Sequence, residues 1–132
     1  METNCLNILL AEDDFFNQKA IVIVLKKLGI SADIASNGAE VIQAMERKNY
    51  AIILMDIQMP YMDGIEATRI VRERWSPSPK IIMITGCAPD IYRKLCFDAG
   101  ANAFLSKPLR IKELINAIER YMPNTLEEFQ SV

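Results

Sequence analysis

Ala51-Ile-Ile-Leu-Met-Asp-Ile-Gln-Met-Pro60 is the stretch on which the fold turns. Its first half is apolar without alternation and stops on an aspartate. A strand with one face in water alternates apolar and polar residues, so an unbroken run marks a strand covered on both faces, as in a parallel sheet. Asn7-Ile-Leu-Leu-Ala11 and Lys80-Ile-Ile-Met-Ile84 have the same character. Ser31-Ala-Asp-Ile-Ala35 and Asn102-Ala-Phe-Leu105 are shorter, weaker versions of it.

Stretches of helical period lie between these runs. Phe16, Ala20, Ile21, Val24, Leu25 and Leu28 are predicted to share the buried face of a first helix, which Gly29 stops. Asn37 with Glu40, and Asp63 with Glu66, have the spacing of an N-cap residue and a glutamate three positions on. Ile91, Leu95 and Ala99 precede Gly100 as a second helix–glycine stop, and Ile111, Leu114, Ile115 and Ile118 form a last apolar face that Pro123 ends. The order is β then α, five times over, which predicts a doubly wound α/β fold: a parallel sheet with helices on both faces. No repeat, low-complexity stretch or interdomain linker interrupts it, so one domain over 1–122 and a tail over 123–132 are expected.

Composition narrows the function. The chain has 132 residues, 51% of them hydrophobic, and a formal net charge of −2, so it lacks the basic footprint of a nucleic-acid ligand. The three cysteines, Cys5, Cys87 and Cys96, have no metal-ligand spacing and suit free thiols in a reducing compartment. No apolar run nears the ~18 residues of a membrane span, and the expected location is cytoplasmic. Histidine is absent (His 0), which excludes Ser–His–Asp and Cys–His catalysis and the usual zinc sites.

Ligands of open α/β sheets bind beyond the carboxyl ends of the strands. Here those ends read Glu12-Asp13-Asp14, Asp56, Thr85-Gly86 and Ser106-Lys107-Pro108. Carboxylates gathered in one crevice repel unless protons or a cation compensate, and with oxygen ligands alone the fitting ion is hard: Mg²⁺, with Mn²⁺ able to substitute. Capping of the first helix by Asp13 or Asp14 is the plainer alternative for those two residues. A hydroxyl (Thr85), an ammonium (Lys107) and a metal beside an ionised carboxylate would together cover the equatorial oxygens of a transferring phosphoryl group.

At these residues the sequence resembles the receiver domain of two-component response regulators. Leu9-Leu-Ala-Glu-Asp-Asp14, Ile53-Leu-Met-Asp-Ile-Gln-Met-Pro60, Met62-Asp-Gly64, Ile84-Thr-Gly86 and Leu105-Ser-Lys-Pro108 match the family in order and spacing, over about residues 7–121. The wording is closest to receivers attached to hybrid sensor kinases. The resemblance implies a flavodoxin-like (βα)5 sheet of order 2-1-3-4-5 and a phosphoacceptor at Asp56, fed by a phosphohistidine on a histidine kinase or phosphotransfer domain. It implies a Mg²⁺ site of Glu12, Asp13, Asp56 and the Gln58 backbone carbonyl, with Thr85, Lys107 and the amides near Ile57 and Gly86 on the phosphoryl oxygens. A cis Lys107–Pro108 bond and a switch through Thr85 and Phe104 follow. That switch would reshape the face of the fourth helix, fifth strand and fifth helix for a downstream protein partner. On this view the chain catalyses only its own phosphorylation and dephosphorylation and is no enzyme otherwise, and a homodimer is left open. Gln58 and Cys87 stand at positions that tune dephosphorylation in the family.

Three rivals carry different expectations. An aspartyl-phosphate phosphohydrolase would need a second aspartate where Gln58 stands. A flavin-binding flavodoxin would need a phosphate cradle where Glu12-Asp13-Asp14 would repel one. An interaction module that never uses phosphorylation would keep the same scaffold.

Overall fold

Five strands and five helices alternate in the computed structural model, which describes residues 7–86 and 90–121. In chain order they are β1 Ile8–Ala11, α1 Phe15–Lys27, β2 Ala32–Ala35, α2 Gly38–Arg47, β3 Ile52–Asp56, α3 Gly64–Arg74, β4 Lys80–Thr85, α4 Asp90–Ala99, β5 Ala103–Ser106 and α5 Ile111–Tyr121. All neighbouring strands are parallel, in the order β2-β1-β3-β4-β5. The order reverses at β1, so the carboxyl ends of β1 and β3 open the crevice expected of this topology.

The unbroken apolar runs are explained by two cores, one on each face of the sheet. Leu9, Ile53, Met55, Ile81 and Met83 point to one side, where Val41, Met45, Ile65, Val71 and Cys96 of α2, α3 and α4 cover them. Ile8, Leu10, Ile52, Leu54, Ile82 and Ile84 point to the other, under Ile21, Leu25, Leu114 and Ile118 of α1 and α5. Alternate residues of one strand thus feed opposite cores, and every position must be apolar.

The stop and start signals work as read. Gly29 (φ 79°) and Gly100 (φ 117°) take the left-handed backbone that ends α1 and α4. In each case two amides fold back on the last turn: Gly29 to Lys26 and Ile30 to Leu25, then Gly100 to Phe97 and Ala101 to Cys96. Asn37 and Asp63 cap α2 and α3 by accepting from the amides of Glu40 and Glu66. Glu40 turns back to the Ser36 amide rather than to that of its own cap residue.

The helix faces need correction at their ends. Phe16 (78% exposed), Ile91 and Ile111 lie outside the core, as does Ala20. Helical period fixes the side of the helix a residue occupies; it is silent on how far the neighbouring layer reaches. Leu95 is likewise at the surface, whereas Ala99 is buried as read and Cys96 joins it. The Lys107–Pro108 bond is cis as expected, and so is Ser76–Pro77. Expectations for Cys5, Cys87, Pro123 and the tail lie outside the described residues.

Candidate functional site

Asp56 is the last residue of β3, and the chain beyond it loops out and returns to the same spot. The Gly64 amide donates to the Ile57 carbonyl at 2.8 Å, and a Cβ on Gly64 would collide with the Asp56 carbonyl oxygen. Glycine is therefore required there for close approach, which accounts for the Gly64 of the Asp63-Gly64 pair seven and eight residues after Asp56. A side chain at Gly38 would likewise strike Met62, whose carbonyl accepts from the Gly38 amide at 2.8 Å. The loop after Asp56 is thus pinned to its own strand and to the start of α2.

Glu12 and Asp56 are almost fully buried, at 2% and 6% exposure, whereas Asp13 faces solvent. Carboxylate oxygens from all three lie within 4.8 Å of one another. Lys107 reaches in from the end of β5 and donates to Glu12 Oε1 at 2.8 Å and to Asp56 Oδ2 at 3.2 Å. Burial acts against its charge, but its hydrogen bond to Glu12 and the field of Asp56 outweigh that and hold the Lys107 pKa above the usual lysine value. Compensation of the carboxylates thus begins with the protein's own ammonium. Three carboxylates against one lysine still leave a surplus of negative charge, and an all-oxygen donor set of this kind fits a hard divalent ion.

Capping accounts for Asp14 and not for Asp13. Asp14 is the N-cap of α1 and accepts from the Asn17 amide at 2.9 Å, which leaves Asp13 to the acidic group. Thr85 ends β4, buried at 1%, with its carbonyl accepting from the Lys107 amide at 2.8 Å. That bond ties the end of β4 to the residue that bridges the carboxylates. The Ile57 amide donates to the Ile84 carbonyl at 3.3 Å. The Gln58 amide instead turns to Asp56 Oδ1 at 3.4 Å. Phe104 sits half-buried on β5 against the α2–α4 core, with the Arg93 guanidinium 5.5 Å from its ring centre.

Some residues the sequence reading passed over also matter. Arg72 on α3 donates to the carbonyls of Gly100 and Pro79, to Ser78 Oγ and to Asn102 Oδ1. It knits α3 to the approaches of β4 and β5, and nothing in local sequence separates it from a solvated helix arginine. Tyr50 donates to Asp33 at 2.6 Å, with Lys48 on the same carboxylate at 3.1 Å. Tyr61, in the loop after Asp56, is 93% exposed and has φ 69°.

A doubly wound sheet of this order, with an acidic, lysine-bridged cleft at its switch point, places the chain in the class of flavodoxin-like α/β domains. The response regulator receiver domain model matches residues 8–119, and the chain belongs to that family. It is a receiver domain of two-component phosphorelay signalling. Hybrid signal transduction histidine kinase K of Dictyostelium discoideum is 40% identical over 124 residues, covering 88% of this chain and 10% of the kinase. Two-component response regulator 24 of Arabidopsis thaliana is 38% identical, covering 87% of this chain and 83% of the regulator. The chain therefore spans a small part of the hybrid kinases it matches and most of the plant regulator. Among solved structures, the receiver domain of a Pseudomonas aeruginosa sensor histidine kinase superposes with a TM-score of 0.84 at 34% identity, over 91% of this chain and 99% of that one. Magnesium is coordinated in the active-site cleft of that protein. The receiver domain of Saccharomyces cerevisiae Ssk1, solved with the histidine phosphotransfer protein Ypd1, gives 0.80 at 28% identity over 89% and 88%. No helix among the described residues is long and apolar enough to cross a membrane.

Proposed function

We propose that Asp56 is the phosphoacceptor and that a phosphohistidine on a kinase or phosphotransfer domain is its donor. The observation that carries this reading is the meeting of Glu12, Asp13 and Asp56 oxygens within 4.8 Å under the ammonium of Lys107. An Asp56 carboxylate oxygen attacks phosphorus, the new P–O bond forms as the P–N bond breaks, and the electron pair leaves with the donor imidazole. Lys107 shifts from bridging carboxylates to pairing with a phosphoryl oxygen, and the Thr85 hydroxyl donates to another. Little covalent work falls to the protein, so positioning and electrostatics carry the step.

Glu12, Asp13, Asp56 and the Gln58 carbonyl would hold Mg²⁺, with Mn²⁺ an acceptable substitute on chemical grounds. When bound, the ion supplies positive charge beside the acceptor oxygen. Thr85 drawing toward the phosphoryl group frees space that Phe104 follows. The groove over α4, β5 and α5, lined in part by Arg93, Phe97, Phe104 and Tyr121, changes with it and is read by a protein partner. The chain acts only on its own aspartate.

Incubation with Mg²⁺ and acetyl phosphate, followed by intact mass, tests the reading. One phosphoryl group should appear on the wild type and be missing from Asp56→Asn and from a chelated control. A wild type that neither gains mass nor binds Mg²⁺ would return the chain to the phosphorylation-independent module.

A further inference from the structure

Among the described residues Tyr61 is the one non-glycine residue with positive φ, at 69°. The Met62 amide donates to the Pro60 carbonyl at 2.7 Å across it, so Tyr61 is the centre of a γ-turn of the rare, strained hand. For an L-residue this backbone is unfavourable, and glycine or asparagine would relieve it. The residue is 93% exposed, so packing within this fold does not offset the strain.

The loop that carries the ring is held on every side. Met59 is buried, the Met62 carbonyl is bound by Gly38, Asp63 caps α3, and Gly64 rests on the Asp56 backbone. Tyr61 stands three residues from that last anchor, and three residues of chain reach at most about 11 Å. A rigid backbone therefore presents an exposed aromatic ring close to the acceptor carboxylate. Tyrosine offers a large contact area for two rotatable bonds, and it is among the residues that dominate protein interfaces.

We infer that Tyr61 is a recognition residue for the phosphodonor protein: its ring packs against the domain bearing the phosphohistidine and so orients the histidine toward Asp56. The inference rests on the phosphoacceptor reading of Asp56. A donor too small to reach the ring has no use for it, and this separates recognition from chemistry.

The test compares two donors, acetyl phosphate and phosphorylated Ypd1, on wild type, Tyr61→Gly, Tyr61→Ala and Tyr61→Phe, with thermal unfolding of each. Tyr61→Gly should raise Tm by about 2–4 °C through relief of the turn, accept from acetyl phosphate at the wild-type rate and lose about tenfold in transfer from Ypd1. Tyr61→Ala should lose the same transfer without the gain in Tm, and Tyr61→Phe should keep most of it. Undiminished transfer from Ypd1 to Tyr61→Gly would overturn the inference, as would equal losses with both donors, because the ring would then serve the site itself. A wild type labelled by neither donor would overturn the phosphoacceptor reading and this one together.

Discussion

Lys107 is the residue on which the electrostatics of the cleft depend. Its ammonium spans Glu12 and Asp56, whose side chains are 2% and 8% exposed. Removing one partner of a buried ion pair strands the other charge, at a cost of about 3 kcal/mol or more. Lys107→Ala should therefore lower the unfolding free energy of the metal-free protein, read from urea unfolding, by that order, and Mg²⁺ should recover more stability in the variant than in the wild type. Equal Mg²⁺-induced shifts in the two would show that the lysine does not share the metal's role. Gly64→Ala should be costlier than its single methyl suggests, because the new carbon meets backbone at Asp56 and Met55 Cγ rather than a flexible side-chain tip. A loss of at least ~2 kcal/mol by chemical denaturation, with impaired labelling of Asp56, is expected. At this scale the sequence was most informative where a residue type has few uses. Glu12, Asp13, Asp56 and Lys107 were all legible as strand-end groups, because buried carboxylates are rare without compensation. That Lys107 is the first compensating cation was not legible, since the partner is 95 residues away.

Elements were legible where at least one end carried a chemical start or stop. Gly29, Asn37, Asp63 and Gly100 all act as read, each satisfying amides or carbonyls that a helix end leaves open. Phe16, Ile91 and Ile111 misled because an apolar residue at helical period can overrun the layer it faces. Arg72 shows the opposite failure. It reads as one of several α3 arginines, yet it makes four hydrogen bonds to the segments leading into β4 and β5. Burial lowers its pKa, and the carbonyls around it hold the charge in place. Arg72→Ala should cost roughly 2–4 kcal/mol by unfolding, from several acceptors left without their donor. Arg72→Lys should recover only part of that, because a single ammonium cannot reproduce the guanidinium fork.

For the whole molecule, the stability profile with pH is set by groups away from the cleft as well as in it. Burial and the bond to Asp33 push the Tyr50 phenol up to about 12, and burial pushes the Cys96 thiol up to about 11. Both are held in their protonated form by the fold. Their contribution is complete below the unfolded pKa and is lost as pH climbs, between 10.0 and about 12 for Tyr50. Asp33 is shifted down by its hydrogen bonds from Tyr50 and Lys48, so its contribution is present above 3.8 and fades as pH falls below that. Unfolding of wild type and Tyr50→Phe across pH 9–12 should show a shallower alkaline decline in the variant. The parallel sheet was legible at this scale because two-sided burial leaves a compositional mark on β1, β3 and β4. The edge strands β2 and β5 are only partly buried, and the strand order came from the resemblance to receiver domains. The Tyr50–Asp33–Lys48 cluster was not, because it joins β2 to the α2–β3 connection across the sheet edge and no periodicity records it.

The separation of Lys107 from its two carboxylates has a consequence during synthesis. Glu12 and Asp56 leave the ribosome with β1 and β3, whereas their cation follows only with the end of β5. A nascent chain cut short before Lys107 can pair its first strands but must keep two acidic side chains from being sealed in uncompensated. The charges of the cleft are therefore compensated only once the end of β5 has been made, and a product cut short before it leaves Glu12 and Asp56 without their ammonium.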